Sequence, residues 1–152
     1  MKLIKFCLAI AFIVAAVSLN SDSDESKQEA ETVSFELKIS NIEETEGKII
    51  MGIFADEKAW KDLDATHSLE AEPSTEGSSA AIELEPGEYA ASAFQDLNDD
   101  GEFNRKGMMR LPGEPYGFSN NARPRIGVPG WKRVKFTVDE NSTEHTIKLV
   151  QP

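Results

Sequence analysis

The sequence predicts an all-β domain, a single antiparallel β-sandwich of about seven strands with one long ordered loop. Three observations lead there. Val33, Phe35, Leu37 and Ile39 alternate with Ser34, Glu36 and Lys38, the period-2 signature of a strand with one wet face. Further short stretches of strand character follow within roughly 120 residues, separated by turn residues and with little helical periodicity between them. Finally, Leu97 to Trp131 fits neither period, yet it carries Met108, Met109, Leu111, Tyr116, Phe118 and Trp131. It is too apolar to be disordered, and a loop of that length has to be organised by something.

Residues 1–18 read as a signal peptide. Lys2 and Lys5 precede twelve largely apolar residues, and small residues follow at Ala16 and Ser18. The apolar run is shorter than the roughly 20 residues a spanning helix needs. The expectation is therefore an exported protein, periplasmic or extracellular, with no membrane span after cleavage. Cys7, the single cysteine, falls inside this segment, so the remainder relies on its core, on bound metal, or on both. Residues 19–31 are polar and acidic and predict a disordered leader, which leaves 32–152 as the domain.

After Val33–Ser40, the stretch from Gly47 is apolar on both faces and predicts a central strand. "DEKAWKDLD" predicts a short helix capped by Asp56. A weak strand is expected around Ser68–Glu72, and another in "SSAAIELEPG", stopped by Pro86-Gly87. "EYAASAFQD" reads as a strand entered from that turn. "KRVKFTV" and "HTIKLV" close the chain as two strands joined by "DENST". Of the two histidines, His145 is expected exposed on its strand and His67 in a polar connection.

The net charge is −11, and loss of Lys2 and Lys5 brings the remainder to about −13. So acidic a chain is repelled by nucleic acid, where binding is dominated by phosphate neutralisation. The charge is uneven, however. Between Arg105 and Lys135 there are eight basic residues and one acid, Glu114. This basic stretch either complements the acidic remainder of the fold or offers a surface to an anionic partner.

Candidate chemistry concentrates in "AFQDLNDDGEFN". Counting Asp96 as first, Asn98 is third, Asp100 fifth, Gly101 sixth, Glu102 seventh and Asn104 ninth, with apolar Phe103 at the eighth. Alternating oxygen-bearing residues around a glycine match the grammar of an EF-hand calcium loop, in which a hard ion takes six to eight oxygens. The twelfth position is Gly107 instead of a glutamate, so this is not an EF-hand. The expectation is an EF-hand-like calcium loop on a β scaffold. Asp96, Asn98, Asp100 and Asn104 supply side-chain oxygens, Glu102 its carbonyl, and Glu114 the closing carboxylate. The competing reading is an ordinary polar turn, for which "NDDG" suffices.

"PGEYAASAFQDLNDDGEFNRKGMMRLPGEPYGFSNNARP" resembles the signature of the DUF2141 family of secreted bacterial domains. A Pro-Gly-x-Tyr-Ala strand, an Asp-x-Asn-x-Asp-Gly loop, a Pro-x-Glu turn and Gly-Phe-Ser-Asn occur in order. The resemblance covers about Thr32 to Val150 and implies a β-sandwich in the bacterial envelope. It implies no activity. Asn104 stands where the family often has aspartate, which weakens a metal site.

No nucleophile elbow, zincin helix or phosphate loop occurs. The leading expectation is a non-catalytic exported domain whose long loop is ordered by structural calcium. The alternative is a module that binds an envelope glycan, peptide or protein through Tyr116, Phe118, Arg123, Arg125 and Trp131, with packing of those aromatics as the plainer account. A metal-dependent hydrolase ranks third, because the loop offers no histidine and no evident open coordination position.

Overall fold

A computed structural model describes residues 31–152. The predicted signal peptide and nearly all of the acidic leader lie outside the described residues. Ten strands and two short helices follow: β1 Val33–Ser40, β2 Lys48–Phe54, α1 Glu57–Asp62, β3 His67–Ala71, β4 Ser78–Leu84, β5 Gly87–Asp96, β6 Arg105–Lys106, β7 Leu111–Pro112, β8 Tyr116–Phe118, α2 Trp131–Val134, β9 Phe136–Val138 and β10 Glu144–Lys148. A single 3-10 turn, Ser119–Asn121, lies between β8 and α2.

The all-β prediction holds, with a different strand count and pairing. One sheet runs β10-β1-β4 and the other β3-β2-β5-β8, with β9 also on β5; β6 and β7 form a separate ribbon. The pairing is not purely antiparallel, because β1 and β10 run parallel, with Leu37 opposite His145 and Ile39 opposite Ile147. The two sheets share one core. Phe35, Leu37 and Ile39 from β1, Leu84 from β4 and Ile147 from β10 meet Ile49, Met51, Ile53, Tyr89, Ala91 and Ala93 of the other sheet. The alternation read in β1 thus does what period 2 requires, turning one set of side chains inward. Beyond β10 the backbone of Val150 exchanges hydrogen bonds with Tyr116, tying the sheets together at one edge.

A second apolar cluster lies on the outer face of the larger sheet. Phe54, Trp60, Ala90 and Val134 are buried there, with Phe118, Ala122, Val128 and Trp131 packed against them. Asp56 caps α1 as predicted, its carboxylate accepting from the Ala59 N–H. The helix places Trp60 so that its indole N–H donates to the Pro129 carbonyl at 2.7 Å. Leu97 to Trp131 is therefore not one uninterrupted loop. It contains β6, β7, β8 and the 3-10 turn, and its second half is held by this cluster. Both clusters are drawn from residues 33–149, so among the described residues this stretch carries two apolar cores of its own.

Three local expectations are corrected. "KRVKFTV" is not a continuous strand: Trp131–Val134 is a helical turn, and only Phe136–Val138 is extended. His145 is half-buried, stacked on Phe136 at 4.3 Å between centroids. Its Nε2 accepts the Asn120 N–H at 3.1 Å. Likewise His67 is the first residue of β3, paired with Ile53, and not part of a connection.

Burial holds the His145 imidazole below its ordinary value of 6.5. A depressed folded-state value means that its contribution is complete above pH 6.5 and is lost as pH falls below that, when the unfolded chain takes up the proton first. Thermal melts from pH 7.5 to 5 are expected to show a decline that His145→Gln, which keeps an acceptor, reduces. Identical slopes for the two proteins would remove His145 as the cause.

Candidate functional site

The loop 97–104 leaves the end of β5 and returns through the β6–β7 hairpin to β8. Two carboxylates hold it. Asp96, the last residue of β5, is only 1% exposed. Its oxygens accept the N–H groups of Asp100 at 3.2 Å and Gly101 at 2.7 Å. Glu114, 3% exposed, reaches back from the far side of the hairpin and accepts the N–H of Leu97 at 3.0 Å and of Asn104 at 2.8 Å. Glu114 therefore joins the loop to which its isolation in a basic stretch had pointed. Its partners are backbone N–H groups and not an arginine.

Asp100 sits at the loop's centre. It accepts from Asn98 Nδ2 at 2.8 Å, from the Glu102 N–H at 2.9 Å, and from Asn104 Nδ2 at 3.0 and 3.1 Å. The Asn104 amide, then the Glu102 N–H and the Asn98 amide, hold the Asp100 carboxyl below the usual aspartate range. Asn104 Nδ2 also donates to the Glu102 carbonyl at 2.8 Å, so that carbonyl turns inward. Asp99 turns outward, 3.4 Å from Lys48 Nζ. Gly101 takes a φ of 78°, the left-handed geometry that suits glycine at the sixth position. Phe103 lies against Phe94 and Tyr116, at 5.5 and 5.7 Å between centroids, and anchors the loop to the outer sheet face.

The geometry thus brings Asp96, Asn98, Asp100, Glu102, Asn104 and Glu114 into one hydrogen-bonded unit. Among the described residues no group of three or more His, Cys, Asp or Glu side chains stands at metal-holding distance. The acids are interleaved with amides and backbone N–H groups. Each carboxylate oxygen can accept more than one bond, so these contacts leave acceptor capacity.

The Tyr116–Trp131 set is dispersed by comparison. Phe118 meets Trp60 edge-on at 5.7 Å and Tyr116 at 5.8 Å, and Trp131 packs on the outer cluster. Arg123 and Arg125 are exposed. A cleft of about 50 Å³ lined by Tyr116, Phe118, Arg123 and Lys148 lies here, well below the roughly 300 Å³ at which small-molecule sites begin. Because Trp131 packs into this cluster, Trp131→Ala is expected to cost stability as well as any binding.

Sequence reading missed the polar residues that fasten this region. Ser119 is fully buried; its hydroxyl accepts the Ala91 N–H at 3.0 Å and lies 2.6 Å from the Val134 carbonyl, to which it donates. Asn120, at φ 57°, donates through Nδ2 to the carbonyls of Arg133 and Lys135. Gln95, fully buried, donates to the Glu44 and Glu46 carbonyls at 2.8 and 2.9 Å. Only the order of the motif hinted at Ser119 and Asn120, since polar residues inside a polar segment carry no periodic signal.

The signature residues therefore serve the fold. Tyr89 lies in the shared core and Ala90 in the outer cluster, Asp96 and Glu114 close the loop, and Ser119 and Asn120 fasten β5 and α2. No curated protein and no solved structure matched the chain. Residues 37–146 match the family described as "Uncharacterized protein conserved in bacteria (DUF2141)", and the chain belongs to that family.

Proposed function

We propose that this is an exported, non-catalytic domain of the bacterial envelope whose Asp96–Glu114 loop takes a structural calcium ion and so fixes the loop and the hairpin it carries. The observation that carries the reading is the convergence of two buried carboxylates, Asp96 and Glu114, from opposite ends of one loop onto its backbone. Asp100, held ionised by its neighbours, lies between them in sequence. The Asn98 and Asn104 amides now present N–H groups to Asp100. Rotating each amide by half a turn would present oxygens instead, an arrangement that is repulsive without a cation and favourable with one. The same residues thus suit a closed hydrogen-bonded state and an ion-bound state. That duality, with Asn104 in place of an aspartate, favours weak binding of the extracellular class, with Kd of about 10⁻⁴–10⁻³ M. Export rests on the basic, apolar and small-residue order of residues 1–18.

At 10 mM calcium such a Kd corresponds to about 1.4–2.7 kcal/mol of stabilisation, a rise in Tm of roughly 5–10 °C for a domain of this size. Magnesium, which demands strict octahedral geometry, is expected to give a smaller shift. Asp100 is exposed, so Asp100→Asn should leave the melt in EDTA close to wild type and abolish the calcium response. An absent shift in the wild-type protein, or an equal shift in Asp100→Asn, would return the stretch to a polar turn.

A further inference from the structure

The hairpin formed by β6 and β7 has a composition unlike the rest of the chain. Met108 is 101% exposed and Met109 81%, with Leu111 beside them at 58%. They sit at the tip of a two-pair ribbon in which Arg105 faces Pro112 and Lys106 faces Leu111. The turn is closed by the Arg110 N–H donating to the Gly107 carbonyl at 3.1 Å, with positive φ at both Gly107 and Arg110. Large apolar side chains held at a tip by an ordered turn are costly in water and call for a partner. In a chain of net charge −11, Arg105, Lys106 and Arg110 give this hairpin three positive charges, and no carboxylate occurs from Phe103 to Gly113. Among the described residues none of the three cations forms an ion pair with a carboxylate. Arg105 instead lies over the Phe103 ring at 5.6 Å.

We propose that the Arg105–Pro112 hairpin docks the domain on an anionic phospholipid bilayer. Met108 and Met109 enter the acyl boundary, and Arg105, Lys106 and Arg110 meet the headgroup phosphates. The pairing of an apolar tip with a basic collar matches the two layers of such a surface. A convex, two-residue apolar tip suits a medium that deforms around it, whereas a protein partner would need a pocket cut to fit. The acid-rich remainder is repelled by the same surface, so the charge asymmetry turns the hairpin toward the membrane. A further exposed apolar residue, Ile126 at 96%, lies in the Arg123–Gly127 loop. Tyr116 borders both the cleft lined by Arg123 and Pro124 and the groove lined by Lys106 and Leu111, so the two basic loops flank one ring. The docking uses no metal and stands whether or not calcium occupies the loop beneath.

The test uses the chain from Thr32 onward, which contains both apolar clusters and lacks the apolar segment Phe6–Val17 that would itself bind lipid. Its cosedimentation is measured in EDTA with vesicles of phosphatidylglycerol and phosphatidylcholine in equal parts, and with phosphatidylcholine alone. Binding is expected on the anionic vesicles only and is expected to weaken with added salt. Met108→Asp with Met109→Asp should lower the partition coefficient at least about tenfold. Replacing the three cations with glutamine should lower it by roughly fivefold per residue. All these side chains are exposed, so circular dichroism and the melting temperature should be unchanged. Failure of the wild-type protein to bind anionic vesicles would overturn the proposal, as would undiminished binding by the double aspartate variant. Concentration-dependent dimerisation abolished by that variant, without vesicle binding, would assign the hairpin to a second copy of the chain instead.

Discussion

Glu114→Ala is expected to lower the unfolding free energy by about 3 kcal/mol, because it leaves two backbone N–H groups without a partner at roughly 1–3 kcal/mol each. The Leu97 and Asn104 N–H groups lie seven positions apart and meet only through this carboxylate. The loop will answer by opening, so that water reaches those groups, which caps the loss. Glu114→Gln keeps one acceptor oxygen and turns an NH2 group toward a donor, so its cost should fall between wild type and alanine. The discriminating readout is amide hydrogen exchange at Leu97 and Asn104, which should accelerate in both variants while β1 and β2 stay protected. Unchanged protection at the two amides, with a lower denaturation midpoint, would mean that Glu114 supports the core and not the loop. The comparison pair is Lys135–Glu88, an exposed contact, whose loss should cost about 1 kcal/mol or less.

How far the sequence could be read depends on the range of the interaction. β1 was legible because Phe35, Leu37 and Ile39 all meet one core, and α1 because Asp56 is a local cap. The stretch Lys132–Val138 misled because its alternation is genuine while its backbone is decided elsewhere. Val134 is drawn into the outer cluster and its carbonyl is taken by Ser119, which bends Trp131–Val134 into a helical turn against the strand pattern. The parallel pairing of β1 with β10 joins residues more than a hundred positions apart, and no local signal encodes register between them. In the candidate site, the spacing of Asp96, Asn98, Asp100 and Asn104 was visible because one loop contains it. Glu114 was reachable only as the lone acid in a basic stretch. What organises the second half of the long segment was not legible, since Trp60 and Pro129 come together only in the folded chain.

Gly47 lies at the root of the same loop, and Gly47→Ala is expected to cost about 3 kcal/mol or more. Two effects add. The residue has a φ of 70°, where an L side chain is strained by about 1 kcal/mol. A β-carbon there would also overlap the Asp96 carbonyl and stand 2.9 Å from Leu97 Cα, contacts that only backbone movement can relieve. Gly101→Ala separates the two, because Gly101 has a similar φ of 78° with nothing within 4 Å of a β-carbon. It should show the conformational cost alone. The excess for Gly47→Ala then measures how tightly the turn before β2 packs under the exit of β5. Because the displaced atoms belong to Asp96 and Leu97, the same variant should also blunt the calcium-induced rise in Tm. Equal destabilisation by the two alanines would show that the β5 exit yields freely, and that the loop's geometry is set from Glu114 and Phe103 rather than from the strand that leads into it.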